Sequence, residues 1–278
     1  MFIAVPMFFF MSGFFDRSER PITDLIKKSA RTLLFPGLIW IIIGCIYQQL
    51  LHMADDGHLS FEFDIYKPTN GNGPVWFLVA LFYAKILTAI LVRIKTHIYV
   101  QLSLSLIIGF IGYIIDIPLL FDEGMIAFPL YFIGKLIYPR IKSLINNSYI
   151  IGIGTICLLL FIFSLLSFII VPGGQMSFRP YYIVAIICIL FVFFPVLSIS
   201  NLLCKWSILY KTGRRSLGIM LVHAPICHTI TVVLNRLFEH GSLIWIVLSL
   251  IEYSIVCILS YYLTVLIEKK CPIILGMK

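Results

Sequence analysis

The sequence predicts an all-helical, polytopic transmembrane bundle of about nine spans, forming one domain over residues 1–278. Composition is the first observation: 60% of residues are hydrophobic and 12% charged, against about 45–50% and about 25% in a soluble domain. Mean hydropathy is +1.03. The second observation is that apolar runs near the ~20 residues needed to cross a bilayer recur along the chain with only short breaks between them. The third is that the charge of those breaks alternates. A cytosolic enzyme and a second, soluble domain are excluded.

The elements follow in order. A phenylalanine-rich run fills 2–15. Arg17, Arg20, Lys27, Lys28 and Arg31 follow it, and Ile22, Leu25, Ile26 and Leu33 recur at helical spacing opposite Lys27, Lys28 and Arg31, which predicts an interfacial amphipathic helix. The second span, 33–51, runs to an acidic loop with Asp55, Asp56, Glu62 and Asp64. The third, 74–92, ends at Arg93 and Lys95, and the fourth, 98–115, at Asp116, Asp122 and Glu123. The fifth, 121–138, leads to Lys135, Arg140 and Lys142; the sixth and seventh are 148–171 and 180–201. Lys205, Lys211, Arg214 and Arg215 precede the eighth, 216–236, and Lys269, Lys270 and Lys278 follow the ninth, 243–267.

Assigning the basic breaks to the cytoplasm leaves only Lys67, Lys85, Arg179 and Arg236 elsewhere among 21 cations, which orients the bundle with a cytoplasmic C-terminus. Topology therefore explains the net charge of +8, and nucleic acid is excluded as a partner. An odd number of spans puts Met1 on the outer side. Its run, as a helix, reaches ~22 Å against a hydrocarbon core of ~30 Å, so at least one further helix is expected ahead of it. A signal peptide fits poorly, because the positive charges follow the run.

The seven cysteines, Cys45, Cys157, Cys188, Cys204, Cys227, Cys257 and Cys271, contain no C-x-x-C and read as buried thiols. The cluster His52-Met-Ala-Asp-Asp-Gly-His58 matches no zinc spacing and reads as a solvated loop, so no metal is expected. Trp206 and Trp245 fall near span boundaries, where aromatic belts need no further role.

Three blocks carry a resemblance. They are Val5-Pro-Met-Phe-Phe-Phe-Met-Ser-Gly-Phe-Phe15, Gly73-Pro-Val-Trp-Phe-Leu78 and Gly213-Arg-Arg-Ser-Leu-Gly-Ile-Met-Leu-Val-His223. In order and spacing the chain resembles the membrane-bound acyltransferase-3 family of bacterial sugar and peptidoglycan O-acetylases, in particular its fucose 4-O-acetylase-like branch. The resemblance implies ten spans in the intact fold, with an Arg and the catalytic His on a first helix for which this chain has no counterpart. It implies acetyl transfer from cytoplasmic acetyl-CoA to a hydroxyl of a cell-surface polysaccharide sugar or its lipid-linked precursor. It also implies a bacterial inner-membrane location, membrane lipid as surroundings and no bound cofactor.

Lys28-Ser-Ala-Arg31 stands where the family usually has Arg-x-x-Arg, and i,i+3 spacing puts both cations on one face, suited to donor phosphates. A positive-inside flank is the plain alternative. Thr212-Gly-Arg-Arg-Ser216, with Ser216 as N-cap, offers Arg214 and Arg215 beside a helix N-terminus, a second candidate donor-phosphate site; topology with an ordinary cap is the alternative there.

His223 is the candidate catalytic, proton-handling residue and Trp76 the candidate acceptor platform, while His223 and His228 both admit plain helix-to-helix hydrogen bonding. Lys85 and Glu252 sit within spans, where a charge costs at least a few kcal/mol unless paired or wet; they could pair with each other, and Lys85 could snorkel. Ser12-Gly13 is not a nucleophile elbow. The pairs Gly109/Gly112 and Gly152/Gly154 predict close helix packing. A polysaccharide-precursor transporter or flippase, which would also need intramembrane charges, and an inactive truncated remnant are the competing readings; no inverted repeat is visible to favour the transporter.

Overall fold

A computed structural model describes residues 4–56, 73–144, 206–238 and 243–277. Every regular element among them is helical. In chain order these are α1 (Ala4–Gly13), α2 (Ile22–Ser29), a π-helical turn (Ala30–Leu34), α3 (Phe35–Asp56), α4 (Trp76–Arg93), α5 (Ile98–Ile114), α6 (Phe121–Leu144), α7 (Ser207–Arg214), α8 (Ser216–Leu237) and α9 (Leu243–Lys270). Short 3₁₀ turns at Gly73–Val75, Pro118–Leu120 and Pro272–Leu275 link or end them. The predicted sixth and seventh spans, 148–171 and 180–201, lie outside the described residues.

Four described helical runs are long and apolar enough to cross a membrane: Ile22–Leu51, Gly73–Arg93, Ser216–Leu237 and Val247–Lys270. Ile98–Ile114 is apolar but shorter. Large apolar side chains stand exposed along these elements, among them Ile42, Ile46 and Leu50 on α3, Ile107, Phe110 and Ile114 on α5, and Ile255 and Ile258 on α9. Helices that satisfy their own backbone hydrogen bonds while showing apolar surface outward suit lipid as solvent.

The chain divides into two compact units, residues 1–29 with 79–206 and residues 30–78 with 207–278. In the first, α6 packs against both α1 and α5. Its core holds Phe9, Phe10, Ile126, Phe128, Leu130, Tyr131 and Phe132, all nearly inaccessible. Glycine sets the α1–α6 approach. A Cβ added at Gly134 would collide with the Phe10 carbonyl, and one at Gly13 would collide with the Tyr131 carbonyl and lie 2.8 Å from the Lys135 amide nitrogen. The predicted packing role of Gly109/Gly112 is also seen: both glycines are buried, and a Cβ at Gly112 would stand 2.6 Å from the Met125 Cβ. Gly152/Gly154 lies outside the described residues.

In the second unit, α8 packs on α9, and α3 packs against the C-terminal 3₁₀ turn. The Trp40 Nε1–H donates to the Ile274 carbonyl at 3.2 Å. Gly276, at φ +71°, closes that turn, where a Cβ would strike the Thr32 carbonyl and come within 3.0 Å of the Pro36 ring. Pro36 has no N–H to return to the Thr32 carbonyl, and a π turn immediately ahead of it relieves the clash that a proline causes inside a helix.

Two boundaries differ from expectation. The helix predicted to end at 51 continues to Asp56, because Leu51-His-Met-Ala-Asp-Asp56 contains no Gly or Pro to stop it. Ser216 is not the N-cap of α8: Arg215 occupies that position, with no side-chain cap bond.

Candidate functional site

The predicted site residues fall in both units. Lys28 and Lys85 belong to the first; Arg31, Trp76, Arg214, Arg215, His223 and Glu252 belong to the second.

Lys28 is exposed near the end of α2, whose Leu25 is buried; Ile26, predicted for the same apolar face as Leu25, is exposed like Lys27. Arg31, also exposed, lies in the π turn. The i,i+3 register assumed for this pair is therefore not purely α-helical. A π turn shifts side chains around the axis relative to an α-helix, and such turns are frequent at functional sites.

Arg214 ends α7 and is exposed. Arg215 is engaged instead: its Nε donates to Glu268 Oε2 at 2.6 Å, an Nη donates to the Tyr261 hydroxyl at 3.3 Å, and the guanidinium sits 5.6 Å from the Tyr261 ring centre. The hydrogen bond from Arg215 to Glu268 holds the guanidinium pKa above its ordinary value. An anion arriving here meets one exposed cation at the end of α7 and one cation already bound to a carboxylate.

His223 is half-buried on α8, and its Nδ1 lies 2.7 Å from the Met220 carbonyl. A carbonyl only accepts, so Nδ1 carries the proton and Nε2 of the neutral ring presents its lone pair. That is the form needed to receive a proton from a hydroxyl. His228 is exposed and meets Tyr47 edge-on at 6.3 Å. Trp76 opens α4 after the Gly73–Val75 turn, half-buried and edge-on to Phe77 at 6.5 Å.

Glu252 is buried on α9, 7% exposed. The Thr231 hydroxyl approaches its Oε1 at 2.7 Å and the Cys227 thiol at 3.8 Å. These are neighbours on α8, and they supply polar contacts that sequence alone could not assign. Replacing Thr231 with valine removes the hydroxyl at constant shape. The expected result is a loss of about 1–3 kcal/mol, the usual penalty for a buried acceptor deprived of its donor. Thermal unfolding in detergent measures it, and a Thr231→Val/Glu252→Leu double variant should regain part of the loss; equal loss in single and double variants would show that the contact is not made.

The first unit holds an arrangement that the sequence reading missed. Asp16, directly after α1, has a side chain only 1% exposed. Its Oδ2 accepts from Lys135 Nζ at 2.9 Å and from the Ser18 amide at 3.0 Å, and its Oδ1 accepts from the Tyr131 hydroxyl at 2.9 Å. Lys135 also donates to the Ser18 hydroxyl. Burial opposes ionisation of Asp16, but the hydrogen bonds from Ser18 and Lys135 and the Lys135 charge outweigh it, holding the carboxyl below its usual value. Just beyond, Arg93 donates to the Arg20 and Ala89 carbonyls, fastening the α1–α2 loop to the end of α4. The signal in the sequence was an acid placed directly at the end of an apolar run; Lys135 looked like one more topological charge.

Among the described residues no group of three or more His, Cys, Asp or Glu could hold a metal ion. His52 lies in α3, and His58 lies outside the described residues.

Helices with apolar outer faces and polar clusters inside them define a multi-pass membrane protein. The family model described as "Acyltransferase domain" matches residues 1–269, and the chain belongs to this acyltransferase-3 family: it is a membrane acyltransferase. No curated protein and no solved structure matches it.

Proposed function

We propose that the chain is an O-acetyltransferase that moves acetyl from cytoplasmic acetyl-CoA to a hydroxyl of a cell-surface polysaccharide sugar or its lipid-linked precursor, in a bacterial inner membrane. The family match over 1–269 carries this reading. In the reaction the acceptor oxygen attacks the thioester carbonyl, the C–S bond breaks, and the hydroxyl proton leaves through a base and ends on the CoA sulfur. His223, with Nε2 available, handles the acceptor proton; Trp76 is the platform for the sugar ring. Lys28 and Arg31 receive donor phosphates, as do Arg214 and Arg215.

Radiolabelled acetyl-CoA supplied to the cytoplasmic face of native membranes should place label on a glycan. Arg31→Ala should raise the KM for acetyl-CoA roughly ten- to a hundredfold, the loss of a charge-assisted hydrogen bond of about 1.5–3 kcal/mol. Absence of label from every glycan, or an unchanged KM, would refute the donor assignment.

A further inference from the structure

Cys227 stands midway along α8 (Ser216–Leu237), ~16 Å from its first residue at ~1.5 Å per residue, about half the depth of a ~30 Å hydrocarbon core. It is a free thiol, half-buried. Its S–H donates to Glu252 Oε1 on α9 across 3.8 Å, a sulfur-length contact, and the same oxygen is 2.7 Å from the Thr231 hydroxyl, one turn further along α8. His223 stands one turn before Cys227 on the same face of α8, with Nε2 presenting its lone pair. The segment is held from α3 as well. The Tyr47 hydroxyl lies 3.1 Å from the Pro225 carbonyl and 2.7 Å from the Thr229 hydroxyl, so α3 grips α8 immediately before and after the thiol.

A thiol becomes a strong nucleophile once a base takes its proton, and the arrangement that achieves this is a nucleophile in hydrogen-bond reach of a base that a third group orients. Here the nucleophile is Cys227, the base in contact is Glu252 and the orienting group is Thr231. Helix-to-helix bonding alone does not call for sulfur at this position, because an S–H is a weak donor and a hydroxyl would bond the carboxyl better. Nor does it call for a carboxyl, which inside a span costs at least a few kcal/mol and marks a working group. Depth adds a further reason. With the donor at the cytoplasmic face and the acceptor at the outer one, acetyl has to cross the membrane, and a side chain that carries it at mid-depth serves the two substrates in turn without bringing them together.

We infer that Cys227 is an acetyl carrier: it takes acetyl from the CoA thioester and passes it to the acceptor hydroxyl, with Glu252 as the base of the first transfer and His223 as the base of the second. This rests on the acetyl-CoA reading above and divides its single transfer into two. In the first, the Cys227 sulfur attacks the carbonyl of acetyl-CoA, a new C–S bond forms, the bond to CoA breaks, and the thiol proton passes through Glu252 to the departing CoA sulfur. In the second, the acceptor oxygen attacks the carbonyl of acetylated Cys227, that C–S bond breaks, and the hydroxyl proton passes through His223 to the Cys227 sulfur. The two sum to the reaction written above. One thioester replaces another in the first transfer, so the acetyl stays activated for the second.

The test gives the detergent-solubilised full chain radiolabelled acetyl-CoA without acceptor and quenches it in acid. Wild type should take up one acetyl per chain, on the peptide that contains Cys227, and neutral hydroxylamine should release it as it releases a thioester. Cys227→Ala should take up none, and Cys257→Ala should load as wild type does. Glu252→Gln, which keeps an oxygen for Thr231, should load about a hundredfold more slowly, the loss of a general base. Cys227→Ser separates loss of the thiol from loss of the fold: the serine should take acetyl slowly and keep it as an oxyester resistant to neutral hydroxylamine, which an unfolded chain would not do. After free acetyl-CoA is removed, membranes from cells lacking the protein should draw the label from Cys227 onto a glycan. If wild type labels a glycan and Cys227→Ala does so at the same rate, the acetyl-CoA reading stands and the carrier is wrong. If the acetyl sits on another residue, or if Glu252→Gln loads as fast as wild type so that the thiol is acetylated by uncatalysed exchange, the inference is overturned. If wild type labels neither itself nor a glycan, the acetyl-CoA reading falls and this inference with it.

Discussion

Gly134→Ala is expected to destabilise the protein by about 3 kcal/mol, at the upper end of the usual cost of overpacking. One methyl group is an unusually large insult here because the obstacle is backbone. The added Cβ would collide with the Phe10 carbonyl, and a carbonyl inside α1 cannot rotate away as a side chain can. Relief requires α1 and α6 to separate, and separation uncovers Phe9, Phe10, Phe128 and Phe132 together. Gly13→Ala meets the same obstacle from the other helix, at the Tyr131 carbonyl. Gly213→Ala is the control, since a Cβ there meets nothing within 4 Å; alanine in place of a helical glycine should be neutral or stabilising by up to about 1 kcal/mol. Thermal unfolding in detergent, followed by loss of soluble protein, compares the three. Should Gly134→Ala shift the midpoint no more than Gly213→Ala, α1 and α6 do not approach as closely as described.

The contrast between these glycines shows what a sequence can and cannot carry. Hydropathy and charge alternation are one-dimensional signals, so the long apolar helices α3, α4, α8 and α9 stood out, as did the amphipathic α2. The three family blocks were legible for the same reason, being local strings. Close approach is not local. Gly13 and Gly134 are over a hundred positions apart, and nothing near either one names its partner. Gly109 and Gly112 were legible as packing positions only because small residues recur a turn apart within one helix. The same holds for polar partners. Glu252 had an obvious cost in a membrane, but Thr231 and Cys227 look like ordinary residues of an apolar run until α8 and α9 are side by side. Arg215 looked like an available cation until its partner Glu268, 53 positions away, was placed beside it. The π turn before Pro36 was hidden because hydropathy carries the span 33–51 straight through the proline and says nothing of how the backbone accommodates it.

Lys135→Met is expected to cost more than Asp16→Asn, because the two changes leave different remnants. Methionine fills the space of the lysine stem but strands an ionised carboxylate, 1% exposed, without its cation; removing one partner of a buried pair typically costs about 3–5 kcal/mol. Asparagine removes the charge yet keeps an oxygen for the Tyr131 hydroxyl, and Lys135, 20% exposed, retains access to water. The double variant should be more stable than Lys135→Met alone, since no buried charge is then left unpaired. pH separates electrostatics from packing. The Asp16 carboxyl has a lower pKa in the folded protein than the ~3.9 of an unfolded chain. The stabilisation it gives is therefore complete above that unfolded value and is lost as pH falls through the lower folded one. Wild type should exceed Asp16→Asn in stability by a constant margin at neutral pH, and the margin should close as the pH is brought below about 4. A margin that persists unchanged to low pH would mean that Asp16 acts by shape and hydrogen bonding alone, and that its charge does not hold the α1–α2 loop in place.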